Sequence, residues 1–185
     1  MYNIRRPFIF NMPSTSIDKV YMKIAYDVAE LSYAKRRKVG CVIVKDHQIV
    51  SFGYNGTPGG FNNSCEHEHS HIIEVDGGYI KNPEAINALE SDGYYCNESG
   101  VCGKIEYETK REVLHAESNA ITKIAKSTLS SEGADLYTTT TPCFECSKLI
   151  IQSGIKRVFF TEDYRDMSGQ DLLKQAKIEV IHIKL

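Results

Sequence analysis

His115-Ala116-Glu117 and Pro142-Cys143-Phe144-Glu145-Cys146 are the two short stretches from which the rest of the chain is read. Imidazole nitrogen and thiolate sulfur are zinc ligands, and a catalytic zinc keeps three protein ligands with a fourth position open for water. His115, Cys143 and Cys146 supply three. Glu117 stands beside a ligand without being one, so it is free to move protons. Each cluster falls at the start of a helix. From Val113 to Ser127, residues Ala116, Ala120, Ile121, Ile124 and Ala125 recur at helical spacing. Pro142 suits the opening of a second helix, Cys143 to Ser153. A helix N-terminus lowers a thiol's pKa and so favours the thiolate that a metal needs. Three other readings compete: a structural zinc site, a redox Cys-x-x-C, and a chance coincidence of residues. A structural zinc would want a fourth ligand, and Glu117 is a poor one. A redox Cys-x-x-C pair would have no use for the His-x-Glu.

Strands and helices alternate outward from these two helices. Ser16 can cap a helix from Ile17 to Ala34, with Val20, Ile24, Ala25, Val28 and Leu31 on its apolar face. Val39–Lys45 and Ile49–Tyr54, joined by Asp46-His47-Gln48, read as a hairpin. Leu136–Thr141, Arg157–Thr161 and Ile178–Ile183 read as three further strands. Gly154 closes the Cys143 helix, and Asp171–Ala176 is helical with Ser168 or Gly169 near its start. The expected fold is α/β, a three-layer α/β/α sandwich around a five-stranded, partly parallel sheet. Residues 1–16, with Pro7 and Pro13, read as an irregular arm, either loose or packed on a neighbouring subunit. Residues 17–185 read as one domain with an insertion at about 66–112.

Composition narrows the class of function. The chain has 185 residues and a net charge of −2. That is one domain's worth of core, without the basic balance that captures nucleic acid. No apolar run is long enough to span a membrane. The first residues have no sustained apolar segment of a secretory signal. With two of six cysteines claimed by the metal motif, a reducing cytoplasm is the expected compartment.

Three stretches stay open. Lys35-Arg36-Arg37-Lys38 is a solvated loop or a phosphate-facing patch. Gly53-Tyr54-Asn55-Gly56-Thr57-Pro58-Gly59-Gly60 is a plain turn, or a site wall whose glycines admit a ligand and whose Asn55 bonds a sugar. The insertion carries Cys65, His67, His69, His71, Cys96 and Cys102, and Asn82-Pro83-Glu84 opens a short helix through Leu89. Cys65, Cys96, Cys102 and His67 are a candidate set for a second, structural zinc. The alternative is surface histidines with small buried cysteines.

The pattern H-x-E followed by P-C-x-x-C is the signature of zinc nucleobase deaminases. Together with Gly53-Tyr54-Asn55-Gly56-Thr57-Pro58, Asn63-Ser64-Cys65 and Ile151-Gln152-Ser153-Gly154-Ile155-Lys156, it makes the chain resemble the deoxycytidylate (dCMP) deaminase family of the cytidine deaminase superfamily. The resemblance implies hydrolysis of dCMP to dUMP with release of ammonia, supplying thymidylate synthesis. It implies Glu117 as proton carrier and His115, Cys143 and Cys146 on zinc. The Ala116 N–H would hold the pyrimidine oxygen, the Thr141 carbonyl the amino group, and Asn55 the deoxyribose. Tyr164 would flank the nucleotide, or else is an amphipathic surface residue. The resemblance also implies hexamers activated by dCTP and inhibited by dTTP. The regulatory triphosphate, with Mg²⁺, would lie at Gly56, Thr57, Pro58 and Asn63. The competing functions are deamination of another cytosine or adenine substrate, and a non-catalytic, zinc-stabilised nucleotide-binding subunit. The second would be expected to lack the glutamate, and Glu117 is present.

Overall fold

Cys41-Val42-Ile43-Val44 is an apolar run, and all four residues are buried, as a strand covered on both faces requires. The computed structural model describes residues 16–73, 83–96 and 101–185, so the expected arm lies almost wholly outside the described residues. These divide into two units. The first holds α1 (Ser16–Ala29), β1 (Gly40–Lys45), β2 (Gln48–Tyr54) and everything from His115 onward. The second holds Tyr33–Lys38 and Asn55–Leu114.

In the first unit, β1 and β2 form the expected hairpin. Asp46 and His47 both have positive φ, the backbone of a two-residue primed turn whose twist matches that of the strands. The sheet continues through β6 (Asp135–Thr140), β7 (Arg157–Glu162) and β8 (Glu179–His182) in the order β2-β1-β6-β7-β8. β1 runs antiparallel to β2 and β6, while β6, β7 and β8 run parallel. It is the mixed five-stranded sheet that the sequence predicts.

Side-chain alternation sends each strand's residues to two cores. Val42, Val44, Tyr137 and Phe159 pack with Tyr21, Met22, Ala25 and Val28 of α1. Tyr137 stacks on Phe159 and donates its hydroxyl to the buried Asp18 carboxyl at 2.7 Å. Cys41, Ile43, Leu136 and Val158 face the other way. They meet Ala120 and Ile124 of α3 (Ala116–Ile124) and Ile150 of α4 (Phe144–Gln152). Leu173 of α5 (Ser168–Gln175) joins the same core.

Two helices start or stop short of the expected bounds. α1 ends at Ala29, where the chain leaves in tight turns, Leu31 N–H to Val28 O and Ser32 N–H to Ala29 O. α3 begins at Ala116 because Leu114 is held extended by paired backbone bonds with Gly56. Val113 and Leu114 are therefore not available to the helix.

The second unit contains strands that the sequence reading missed. β3 (Glu66–Ile73), β5 (Cys102–Thr109) and the short β4 (Tyr95–Cys96) form an antiparallel sheet in the order β3-β5-β4. Glu-His-Glu-His-Ser-His is polar on both faces of β3, so no hydrophobic alternation marks it. α2 (Pro83–Ser91) matches the short helix expected there; Asn82 lies outside the described residues. No helix among the described residues is long and apolar enough to cross a membrane.

Candidate active site

α3 packs along β2 and α4 follows directly on β6, and the first turns of the two helices meet at the metal ligands. His115 is the N-cap residue of α3 and Cys143 that of α4, both with extended backbone. Each cap residue's carbonyl is held within its own first turn. Asn119 N–H and the Ser118 hydroxyl donate to His115 O at 2.9 Å, and Ser147 donates N–H and hydroxyl to Cys143 O at 2.9 Å. α3 is stitched to β2 by Ser51 Oγ to Ala120 O at 2.7 Å, Asn119 Nδ2 to Tyr54 O at 2.8 Å, and Lys123 Nζ to Phe52 O at 3.0 Å. Gly53 lets α3 lie this close. A β-carbon there would fall 2.5 Å from Ala120 N and closer still to Ala116 O.

The three expected ligands come together. His115 Nδ1 lies 3.4 Å from Cys143 Sγ and 3.5 Å from Cys146 Sγ, and the three ligand atoms lie within 4.8 Å of one another. With Zn–N of about 2.0–2.1 Å and Zn–S of about 2.3 Å, the nitrogen–sulfur edge of a tetrahedron is roughly 3.6 Å. The donor set and its spacing therefore fit a tetrahedral zinc with three protein ligands. It is the one such cluster of histidine, cysteine and carboxylate groups among the described residues.

The protein atoms polarise the two thiols in opposite senses. Cys143 is pulled down to about 4, chiefly because it accepts a hydrogen bond from Cys146 and then from His115. Cys146 is pushed up, first by that same bond and then by burial. A dication held between the sulfurs would favour the thiolate form of both. The cysteine hydrogen bond lifts the His115 imidazolium pKa above its usual range, although burial opposes it. Glu117 is 4 % exposed, and burial pushes its carboxyl up to about 7. A carboxyl at that value can both accept and return a proton near neutrality.

The other expected residues are placed as follows. Ala116 is fully buried at the first position of α3. Thr141 is buried; its N–H at 2.8 Å and hydroxyl at 3.1 Å both donate to Glu162 O at the end of β7. Tyr164 is half-buried just beyond β7, with the Arg165 guanidinium 5.9 Å from its ring centre. In the second unit, Asn55 Nδ2 donates to Arg37 O at 2.9 Å. Gly56 pairs with Leu114, Thr57 Oγ1 donates to Asn62 O at 2.9 Å, Pro58 O accepts Phe61 N–H, and Asn63 O accepts Cys65 Sγ. The basic run is tied down in this unit: the Lys35 and Arg36 N–H groups donate to the buried Glu66 carboxylate, and Lys35 pairs with Glu68.

The ligand set expected for a second zinc is not assembled. Cys96 and Cys102 are joined as a disulfide, so neither offers a thiolate. His67 pairs with Glu108 in the β3–β5 ladder, whereas Cys102 pairs with Ile73. Along β5 that is six residues, roughly 20 Å at a strand's rise. Cys65 lies just beyond the His67 end, where its carbonyl accepts the Lys110 N–H. Cys65 and His67 therefore cannot share an ion with Cys96 and Cys102.

Comparison with known proteins identifies the family. The family model for the cytidine and deoxycytidylate deaminase zinc-binding region matches residues 15–162. The chain belongs to the cytidine and deoxycytidylate deaminase family. It is 36% identical over 169 residues to the deoxycytidylate deaminase of Enterobacteria phage T4, covering 88% of this chain and 87% of that one. It is 30% identical over 175 residues to ComE operon protein 2 of Bacillus subtilis, covering 94% and 75%. Among solved structures it is similar to the dCMP deaminase of cyanophage S-TIM5 in complex with dCMP and dUMP. The TM-score is 0.68 and the identity 35%, over 93% of this chain and 100% of that one.

The sequence does not say what each glycine near the site packs against. Gly53 reads as the start of a glycine-rich loop, and Gly169 as one of two residues near a helix start. Both are places where one backbone lies directly against another that carries site residues. No pattern in the sequence names the partner of such an approach.

Proposed function

We propose that this chain hydrolyses dCMP to dUMP and ammonia. The observation that carries the reading is its 35% identity, over nearly the full length of both chains, to an enzyme crystallised with dCMP and dUMP. The His115–Cys143–Cys146 triangle beside a buried carboxyl supports it.

In this proposal His115, Cys143 and Cys146 hold zinc. When bound, zinc supplies the Lewis acidity that brings the pKa of water toward about 7. Glu117 takes a proton from the attacking water and delivers it to ring N3, which makes C4 electrophilic. The water oxygen bonds to C4. Glu117 then carries the second proton to the exocyclic amine, the C4–N bond breaks, and ammonia leaves. The Ala116 N–H holds the pyrimidine oxygen, and the Thr141 carbonyl holds the amino group in line with that departure. The two bonds from Thr141 to Glu162 anchor the residue that carries this carbonyl. Asn55 holds the deoxyribose and Tyr164 flanks the nucleotide.

The family resemblance extends the proposal to regulation and assembly. Residues 17–185 act as one deaminase domain, in the cytoplasm, as a homo-oligomer for which a hexamer is favoured. The dUMP feeds thymidylate synthesis. dCTP activates and dTTP inhibits, each with Mg²⁺, at Gly56, Thr57, Pro58 and Asn63. Coupling of about 1–3 kcal/mol between sites would shift apparent affinity roughly 5- to 150-fold. Initial rates of ammonia release against dCMP, with and without each triphosphate plus Mg²⁺, test both levels. Turnover of dCMP is expected, with a sigmoidal curve that dCTP straightens and dTTP depresses. No release from dCMP would refute the activity, and superimposable hyperbolic curves would refute the regulation.

A further inference from the structure

The segment that leaves β7 returns to the metal-binding turn twice. At its start, Glu162 O accepts both bonds from Thr141. At its far end, Gly169 in the first turn of α5 lies directly against the Pro142–Cys143 backbone. A β-carbon on Gly169 would stand 2.7 Å from Cys143 C, 2.9 Å from Cys143 O, and closer still to Pro142 O. Real β-carbons essentially never come within 3.0 Å of other heavy atoms, and here the neighbours are backbone, which cannot rotate aside as a side chain would. The hydrogen that stands where that β-carbon would be therefore points at the peptide that places the Cys143 sulfur.

The backbone that this β-carbon would meet is not free to yield. Cys143 O already accepts two bonds from Ser147, and Pro142 is buried. α5 is likewise fixed in place. Asp166 accepts the Ser168 N–H and hydroxyl, both at 2.9 Å, which sets the start of the helix, and Leu173 anchors it in the core. Cys143 is thus caught between its own helix and a glycine of the next.

We infer that Gly169 is a positioning residue for the metal site: its bare α-carbon sets where the Cys143 sulfur stands relative to His115 and Cys146. This rests on reading those three residues as a metal site. Any side chain at 169 pushes the backbone of Pro142 and Cys143 away, and a displacement of up to about 1 Å is enough to degrade a geometry that chemistry depends on. Residues that orient metal ligands are worth about 10–100-fold in metal affinity.

The test uses the full chain loaded with Co²⁺, whose ligand-field and thiolate charge-transfer bands report coordination, followed by Zn²⁺ competition with a chelator. Wild type is expected to show a tetrahedral spectrum with thiolate bands; their absence would overturn the metal-site reading itself. Gly169→Ala is expected to shift the bands and weaken zinc binding at least tenfold. Leu173→Ala, which loosens the same helix without touching Cys143, is expected to leave both within about threefold. Unchanged affinity and spectrum in Gly169→Ala, or equal losses in the two variants, would overturn the inference. Should Gly169→Ala fail to fold, Asp166→Ala removes both bonds to Ser168 without adding bulk. A weaker zinc complex in that folded variant supports the inference, and an unchanged one overturns it.

Discussion

Gly53→Ala tests whether β2 sets the position of α3. The added methyl would sit 2.5 Å from Ala120 N and 3.1 Å from Ala120 Cα, and nearer than either to Ala116 O. Ordinary contact needs about 3.5 Å, so the helix must withdraw by about 1 Å. Rotamer changes cannot absorb this, because the crowded atoms are backbone on both sides. Gly53 is also buried and fixed in register opposite Cys41. Overpacking of this kind costs about 1–3 kcal/mol. Withdrawal also strains the Ser51, Asn119 and Lys123 bonds, which favours the upper end. For a chain of this size each kcal/mol lowers Tm by about 2–4 °C, so a fall of roughly 4–12 °C is expected. Ala116 lies between His115 and Glu117, so a shift of about 1 Å there is expected to cost about 10²-fold in kcat. Thermal unfolding and initial rates of ammonia release measure the two effects. A variant with wild-type Tm and turnover within threefold would show that β2 does not hold α3 as argued.

Other expectations follow from single contacts. Glu117→Gln should retain zinc and the fold while losing at least roughly 10²-fold in turnover, the scale of a missing general acid–base group; near-parental rates would remove Glu117 from the chemistry. The same variant has a pH signature in chelated protein. Burial raises Glu117 from 4.5 to about 7, so between those values the folded chain holds a proton that the unfolded chain has released. Its contribution to stability is complete below about pH 4.5 and lost as pH rises to 7, a slope that Glu117→Gln should abolish. Parallel stability–pH curves for the two chains would contradict the burial argument. Tyr137→Phe removes the 2.7 Å bond to Asp18 on the α1 side of the sheet and should cost about 1–3 kcal/mol in denaturant unfolding, with turnover unchanged. Thiol titration of the unfolded, unreduced chain should find Cys41, Cys65, Cys143 and Cys146 free, with Cys96 and Cys102 joining only after reduction.

The elements that carry chemistry were legible because local sequence constrains them. Apolar β1, its hairpin with β2 and the start of α4 beside Pro142 follow from residue type and spacing. The metal triangle was legible for the same reason, since Pro-Cys-x-x-Cys and His-x-Glu each fit one helical turn. β3 and β5 were not, because a two-sided polar ribbon leaves no hydrophobic period. The start of α3 was misplaced because Leu114 is extended by a bond to Gly56, far away in sequence. The second-zinc set failed for a related reason: strand register, which the sequence does not state, separates His67 from Cys102. Gly53 and Gly169 show the same limit, in that a glycine marks a close approach without naming what approaches.

Metal content and product formation measured on one preparation test the central claim most directly. Purified chain is analysed for zinc, then incubated in parallel with dCMP, cytidine and single-stranded DNA while ammonia is followed. The account predicts zinc that is lost in a Cys143→Ser, Cys146→Ser double variant, and ammonia released from dCMP with equimolar dUMP. Folded, zinc-loaded chain that releases ammonia from cytidine or DNA but not from dCMP, or from none of them, would contradict it.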